Sequence, residues 1–329
     1  MKKFFFKSIL LVVLVFIVQS LCPGEVVIPN EITRLDSLMQ YGADIIYFGD
    51  STTESFTAED ANKASIGALL QMLIPQAQIA KITHPSYQMD VYAAYGRYIL
   101  RKGYHPKFVI IPINLRSFSP VWDINPSYQF DKEKIVLDVK DTFVMRYLKP
   151  LAVFKIFEPN CSQFSYQYTR VFEGKKYLGL VKDLFTPPSS VSPEDVTLRY
   201  LQLCYSYSLN YQHRKVRSLL QLVRTLKTAG IKPIFYIAPL DYITVEKYLG
   251  SKFRERHIEN VQLLHSLLAQ EGVPLLDLSN SLDPEFFIWS TVSTEKGHPS
   301  EHLFLKGRMF VAMSLAKKTS MNTFFNLGL

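Results

Sequence analysis

The chain has 329 residues, 48% hydrophobic and 20% charged, which is ordinary globular usage and excludes general disorder. Its 14 Gly and 18 Pro exclude collagen-like or low-complexity architecture, and only three Cys exclude a disulfide scaffold and disfavour a Cys-rich zinc module. The net charge of +8 is scattered, with no run of five or six basic residues, so a solvated, mildly basic surface is expected rather than one that attracts an anionic surface or glycan.

The chain begins MKKFFFKSILLVVLVFIVQSLCPGE. Lys2, Lys3 and Lys7 precede an almost wholly apolar stretch, residues 8–22. Basic residues before a short apolar run describe an export signal or an uncleaved signal anchor. Charge before the run keeps the N-terminus cytoplasmic and sends the remainder across the membrane. Residues 1–25 are therefore expected to be a signal peptide or anchor, and the rest extracytoplasmic. Gln19 and Leu21 fit a lipobox around Cys22 poorly. Cys161 and Cys204 would be able to pair in an oxidising compartment, or sit as two separate buried thiols.

Strands then alternate with amphipathic helices. Residues 43–48 read as a first strand, 58–74 as a helix, 78–83 as a second strand and 90–102 as a second helix. Residues 108–113 (FVIIPI) are apolar throughout, as in a strand buried on both faces of a parallel sheet. Residues 119–205 carry seven prolines and many aromatics and read as a large insertion, a candidate cap. The alternation resumes with a helix over 207–229, a strand over 232–238, a helix over 254–271, a strand over 273–278 and a last helix over 301–317. Such alternation predicts an α/β fold with a mostly parallel five-stranded sheet, whose functional loops lie past the carboxyl ends of the strands. Length requires no second domain: 26–329 is read as one domain with its insertion.

Three chemistry-bearing residues fall past predicted strand ends. Gly49-Asp50-Ser51 follows the first strand: a Gly before the strand-to-helix turn lets the backbone bend tightly and leaves the Ser hydroxyl exposed, and the Ser51 N–H is an oxyanion donor. Asn114 follows the third strand and offers an amide to the same charge. His302 opens the last helix and is a candidate base for Ser51. Alone, each is equally a turn, an Asx-turn or a capping residue. Their order and shared sheet edge argue for one site.

This order of strand–GDS, strand–Asn and late His-Leu resembles the SGNH (GDSL-like) hydrolase superfamily over residues 40–118 and 207–317, closest to exported or membrane-anchored cell-envelope members. The resemblance implies a three-layer α/β/α sandwich, flavodoxin-like in strand order. It implies Ser51 as nucleophile, Asn114 as oxyanion donor and His302 as base, with Gly49 and Asp50 in support. Two departures stand out. Pro299 occupies the place of the family's Asp three residues before the His, leaving Glu301 or Glu295 nearby, a Ser–His dyad, or an acid from elsewhere such as Asp241 or Asp277. The segment from Thr83 to Gln88 replaces the block-two Gly, so that Ser86 or Tyr87 is expected to supply its backbone N–H, and His84 is a loop histidine or, alternatively, an extra ligand or base.

The expected function is that of a serine esterase or O-acyltransferase acting on an acylated glycan or small ester, with no cofactor and no metal. Its expected partners are the membrane, through an uncleaved leader, and envelope-assembly proteins, but no nucleic acid. The competing reading is a catalytically degenerate envelope scaffold or glycan-binding protein. Tyr205, Tyr207 and Tyr211 are read as core packing or, alternatively, sugar-stacking rings.

Overall fold

A computed structural model describes residues 2–21, 28–56, 60–119, 122, 130–138, 167–172, 175–180, 193–288 and 301–324. Helix α1 (Lys2–Leu21) is followed by α2 (Asn30–Gln40), which sequence periodicity had not marked. The core then runs β1 (Ile45–Gly49), the short α3 (Ser51–Glu54), α4 (Ile66–Leu73), β2 (Ile79–Thr83), α5 (Met89–Lys102) and β3 (Phe108–Ile113). From the predicted insertion the structure describes α6 (Asp131–Asp138), an antiparallel hairpin of β4 (Gln167–Phe172) and β5 (Lys175–Leu180), and α7 (Pro193–Tyr205). The chain returns through α8 (Arg214–Thr228), β6 (Lys232–Ile237), α9 (Tyr242–Leu249), α10 (Ser251–Gln270), β7 (Leu275–Asp277) and α11 (Leu305–Phe324).

The sheet order is β2-β1-β3-β6-β7, and every pairing is parallel. In strands taken by chain order this is 2-1-3-4-5, the flavodoxin-like winding, whose switch point falls between β1 and β3. The central strands β1 and β3, and β6 beyond Lys232, are buried on both faces, so alternate residues feed two cores. Ile46, Phe48, Val109, Ile111 and Phe235 pack with helices α2, α5, α8 and α10. Ile45, Tyr47, Ile110, Ile234 and Tyr236 pack with α4 and α11. The result is a three-layer α/β/α sandwich.

Four boundaries differ from the sequence reading, each for a tertiary reason. The helix expected over 58–74 begins only at Ile66, because Asp60 and Asn62 serve other partners. Asp60 accepts the Leu305 N–H at 2.9 Å and pairs with Arg308 at 3.0 Å, while Asn62 bonds to the Ala64 N–H. The helix expected from 207 begins at Arg214, because Asn260 on α10 accepts the Leu209 N–H and donates to the Tyr207 carbonyl. The helix expected over 254–271 is preceded by another turn sequence: α9 stops at Gly250, whose φ of 73° breaks the run, and α10 starts at once. The last helix begins at Leu305, so His302 stands on the loop before it.

Along α1, the described side chains of Phe4, Phe5, Phe6, Leu10, Leu11 and Leu14 are exposed. Part of this helix lies outside the described side chains, and among the described residues no helix is long and apolar enough to cross a membrane.

Candidate active site

Ser51 follows β1 directly. Gly49, the last residue of the strand, is needed for space rather than for its backbone freedom. A Cβ there would lie 2.2 Å from the Thr53 hydroxyl and 2.7 Å from a Thr83 methyl. This replaces the tight-bend reason expected from the sequence. Asp50 is buried and does two jobs. Its Oδ1 accepts the Thr52 N–H at 2.9 Å and the Thr52 hydroxyl at 2.6 Å, capping the turn that carries Ser51. Its Oδ2 accepts the Asn114 amide Nδ2–H at 3.0 Å.

That bond fixes the Asn114 amide. Its Oδ1 accepts the Arg116 N–H at 3.1 Å, so oxygen and nitrogen are distinguished by their partners. An amide nitrogen carries two hydrogens; with one spent on Asp50, the second remains to donate to developing charge.

His302 Nε2 lies 3.1 Å from Ser51 Oγ. Burial holds the imidazole below its ordinary range, and the Arg116 charge adds to this while Glu301 and Asp50 oppose it. A neutral ring at neutral pH is the form that accepts a hydroxyl proton.

The loop after β2 extends the pairing of Thr83 with Gly49, because the His84 N–H donates to the Gly49 carbonyl at 3.2 Å. Residues 84–87 therefore stand beside the Ser51 turn. Pro85 is at the second position, Ser86 at the third with φ 68°, and the Tyr87 N–H donates to the His84 carbonyl at 3.1 Å. This is the pattern of a type II β-turn, whose third position ordinarily takes Gly. Ser86 thus holds, as a serine, the left-handed conformation that this turn position ordinarily gives to glycine. The same bond corrects the expectation for Tyr87, whose N–H is spent in closing the turn. The Ser86 and Ser51 N–H groups meet no acceptor among the described residues.

Glu301, expected as an acid orienting His302, does not bond to its ring. One carboxylate oxygen accepts the Tyr205 hydroxyl, and the other lies 3.2 Å from Arg116 Nε. The Arg116 Nε–H is not aimed along that line, so charge rather than a linear hydrogen bond holds the pair. Arg116 also donates to the Tyr200 hydroxyl at 2.7 Å and lies 5.4 Å over the Trp122 ring. This buried network joins the Asn114 turn, the 301–302 loop and α7. Nothing in the spacing of the sequence marks it, because its members lie far apart in the chain.

A second anchor is Arg308, fully buried on α11. It pairs with Asp60 and donates to the carbonyls of Ser55, Asn62, Ala64 and Leu303. It ties the segment after the Ser51 turn to the segment after His302.

The other acids considered are spent locally. Asp241 caps α9 through the Thr244 N–H at 3.1 Å, and Asp277 accepts the N–H and hydroxyl of Ser279. Glu295, His298 and Pro299 lie outside the described residues, as does Cys161. Cys204 is a buried free thiol, pushed up to about 12 by burial. Tyr205 and Tyr207 are buried, whereas Tyr211 is exposed.

No protein-family model matches the sequence, and no curated protein matches it. Among solved structures, the chain is similar to an acetylxylan esterase from Geobacillus stearothermophilus, at 14% identity, with 84% of this chain and 93% of that chain covered and a TM-score of 0.38. It is also similar to a G-D-S-L-family lipolytic protein from Desulfitobacterium hafniense, at 14% identity, with coverage of 83% and 97% and a TM-score of 0.35. At that distance the site has to be read from this chain's own side chains. They define an α/β/α sandwich with a serine–histidine pair and two kinds of amide donor grouped past the carboxyl ends of β1, β2 and β3.

Proposed function

We propose that the chain is a serine esterase or O-acyltransferase of the SGNH (GDSL-like) type. The observation that carries this reading is the 3.1 Å contact of Ser51 Oγ with His302 Nε2, beside the oriented Asn114 amide and the Ser86 turn. In the reaction, Ser51 Oγ attacks an acyl carbonyl carbon as its proton passes to His302 Nε2. The carbonyl oxygen becomes an oxyanion, met by the N–H groups of Ser51 and Ser86 and by Asn114 Nδ2–H. Collapse breaks the ester C–O bond, and His302 returns the proton to the departing alkoxide. Water or a sugar hydroxyl then attacks the acyl-serine, giving its proton to His302, and Ser51 Oγ recovers it as the acyl group leaves.

The exported location and the envelope-glycan substrate are part of the same proposal, supported by the basic–apolar leader and by the resemblance of the motifs. Wild-type protein is expected to release acetate from an acetylated oligosaccharide or to pass it to a sugar acceptor, and Ser51→Ala to do neither. Equal turnover in the two proteins would overturn the assignment.

A second reading, an envelope scaffold without turnover, is favoured by one observation: Glu301 is committed to Arg116 and Tyr205 instead of His302. Labelling of Ser51 by a fluorophosphonate probe would exclude it.

A further inference from the structure

The strained backbone at Ser86 needs something to hold it. A non-glycine residue at positive φ is disfavoured by its Cβ, and persists where its surroundings over-determine it. A type II turn can relax to type I by flipping its central peptide, here the one joining Pro85 to Ser86. That flip brings the third residue back to negative φ. It would also reverse the direction of the Ser86 N–H.

The structure holds this peptide from one side. His84 Nδ1 lies 2.8 Å from the Pro85 carbonyl oxygen. A carbonyl only accepts, so Nδ1–H is the donor and the tautomer follows. In a trans peptide the C=O and N–H point in opposite directions. Fixing the Pro85 carbonyl therefore fixes the Ser86 N–H. The imidazole is itself located by a stack on Tyr87, with centroids 5.1 Å apart, and by the edge of Phe130 at 5.2 Å. Tyr87 is anchored below through its hydroxyl to Glu133 and Tyr95.

We infer that His84 is a positioning residue, whose ring N–H latches the Pro85–Ser86 peptide so that the Ser86 N–H is presented to the oxyanion. This rests on the esterase reading above. It gives His84 a role that is neither base nor ligand, and it says why a serine can stand where glycine is usual.

The test separates the latch from simple packing. His84→Phe keeps an aromatic ring against Tyr87 and Phe130 but removes the donor. It is expected to lower kcat about 10- to 100-fold with little change in KM, short of the roughly 10²–10³-fold cost of deleting an oxyanion donor outright. His84→Asn, whose amide can donate from nearly the position of Nδ1, is expected to recover most of that loss. In a Ser86→Gly background the turn no longer resists positive φ, so His84→Phe is expected to cost less than about threefold there, a coupling that a double-mutant cycle reads directly. Equal losses from His84→Phe in the wild-type and Ser86→Gly backgrounds would overturn the latch, as would full activity in His84→Phe. If wild type neither turns over esters nor takes the phosphonate label at Ser51, the esterase reading itself fails and the oxyanion role of Ser86 falls with it. Turnover and labelling in wild type with no coupling between positions 84 and 86 would sink the latch alone.

Discussion

Among the described residues two serine–histidine pairs stand past strand ends within hydrogen-bond reach, and only one has the arrangement a nucleophile requires. Ser51 Oγ lies 3.1 Å from His302 Nε2, past β1; Ser279 Oγ lies 3.0 Å from His257 Nε2, past β7. Both imidazoles are held below the ordinary range, first by burial. The difference is where the hydroxyl proton goes. Ser279 donates it to Asp277 Oδ1 at 2.6 Å, and its N–H goes to the same oxygen at 2.9 Å. His257 must then donate its own Nε2–H to Ser279 Oγ, which leaves the ring no base function toward that serine. Ser279 is also fully buried, while Ser51 is partly exposed. A short Ser–His distance is thus no signature of a nucleophile. The direction of the bond, access and nearby unspent donors decide.

The largest way to break that contrast is to delete each hydroxyl. Ser51→Ala is expected to lower ester turnover by about 10³-fold or more, as loss of a nucleophile does. Ser279→Ala is expected to leave kcat/KM within about twofold but to reduce stability by about 1–2 kcal/mol, the scale of a buried hydrogen bond lost. Steady-state kinetics and denaturant unfolding check both, and a large catalytic loss in Ser279→Ala would erase the distinction. Next in size is the oxyanion side. Asn114→Ala removes a donor and is expected to cost about 10²-fold in kcat. Asp50→Asn is expected to cost less, about tenfold, because it leaves the amide in place but takes away the carboxylate that orients it. An Asp50→Asn loss appearing only in KM would argue against that orienting role.

The carriers of this site are legible in the sequence because Ser51 and Asn114 directly follow strands and His302 directly precedes the last helix, where a short motif and its order suffice. GDS after one apolar run, Asn after another and His before the last helix point to Ser51, Asn114 and His302, and the topology brings them to one edge. The supports were not legible. Arg116 and Glu301 lie 185 positions apart, and the bond of Asp50 to Asn114 crosses from β1 to β3. The helix start at Ile66 depended on Arg308, which draws Asp60 and Asn62 away from local helix formation. One support did have a local signal. Pro85 followed by a small polar residue and then Tyr87 fits a type II turn, and reading it would have separated Ser86 from Tyr87 as the donor.

The smallest expected effect concerns the charges around His302, and it sharpens the contrast between the two histidines. With the ring held low, the acid limb of kcat/KM is expected to lie below the ordinary imidazole value near 6.5. Arg116 depresses the ring and Glu301 raises it, so removing them should move that limb in opposite directions. Arg116→Met takes away a positive charge, the imidazolium becomes easier to form, and the limb moves to higher pH. Glu301→Gln takes away a negative charge, the imidazolium becomes harder to form, and the limb moves to lower pH. Each variant also breaks a buried pair and is expected to lose stability, so the profiles are to be taken at a temperature where both remain folded. General loosening of the loop would expose His302 in both variants and move both limbs upward. Opposed shifts are therefore the outcome that assigns the pair an electrostatic hold on the base, and parallel shifts would reduce Arg116 and Glu301 to scaffolding.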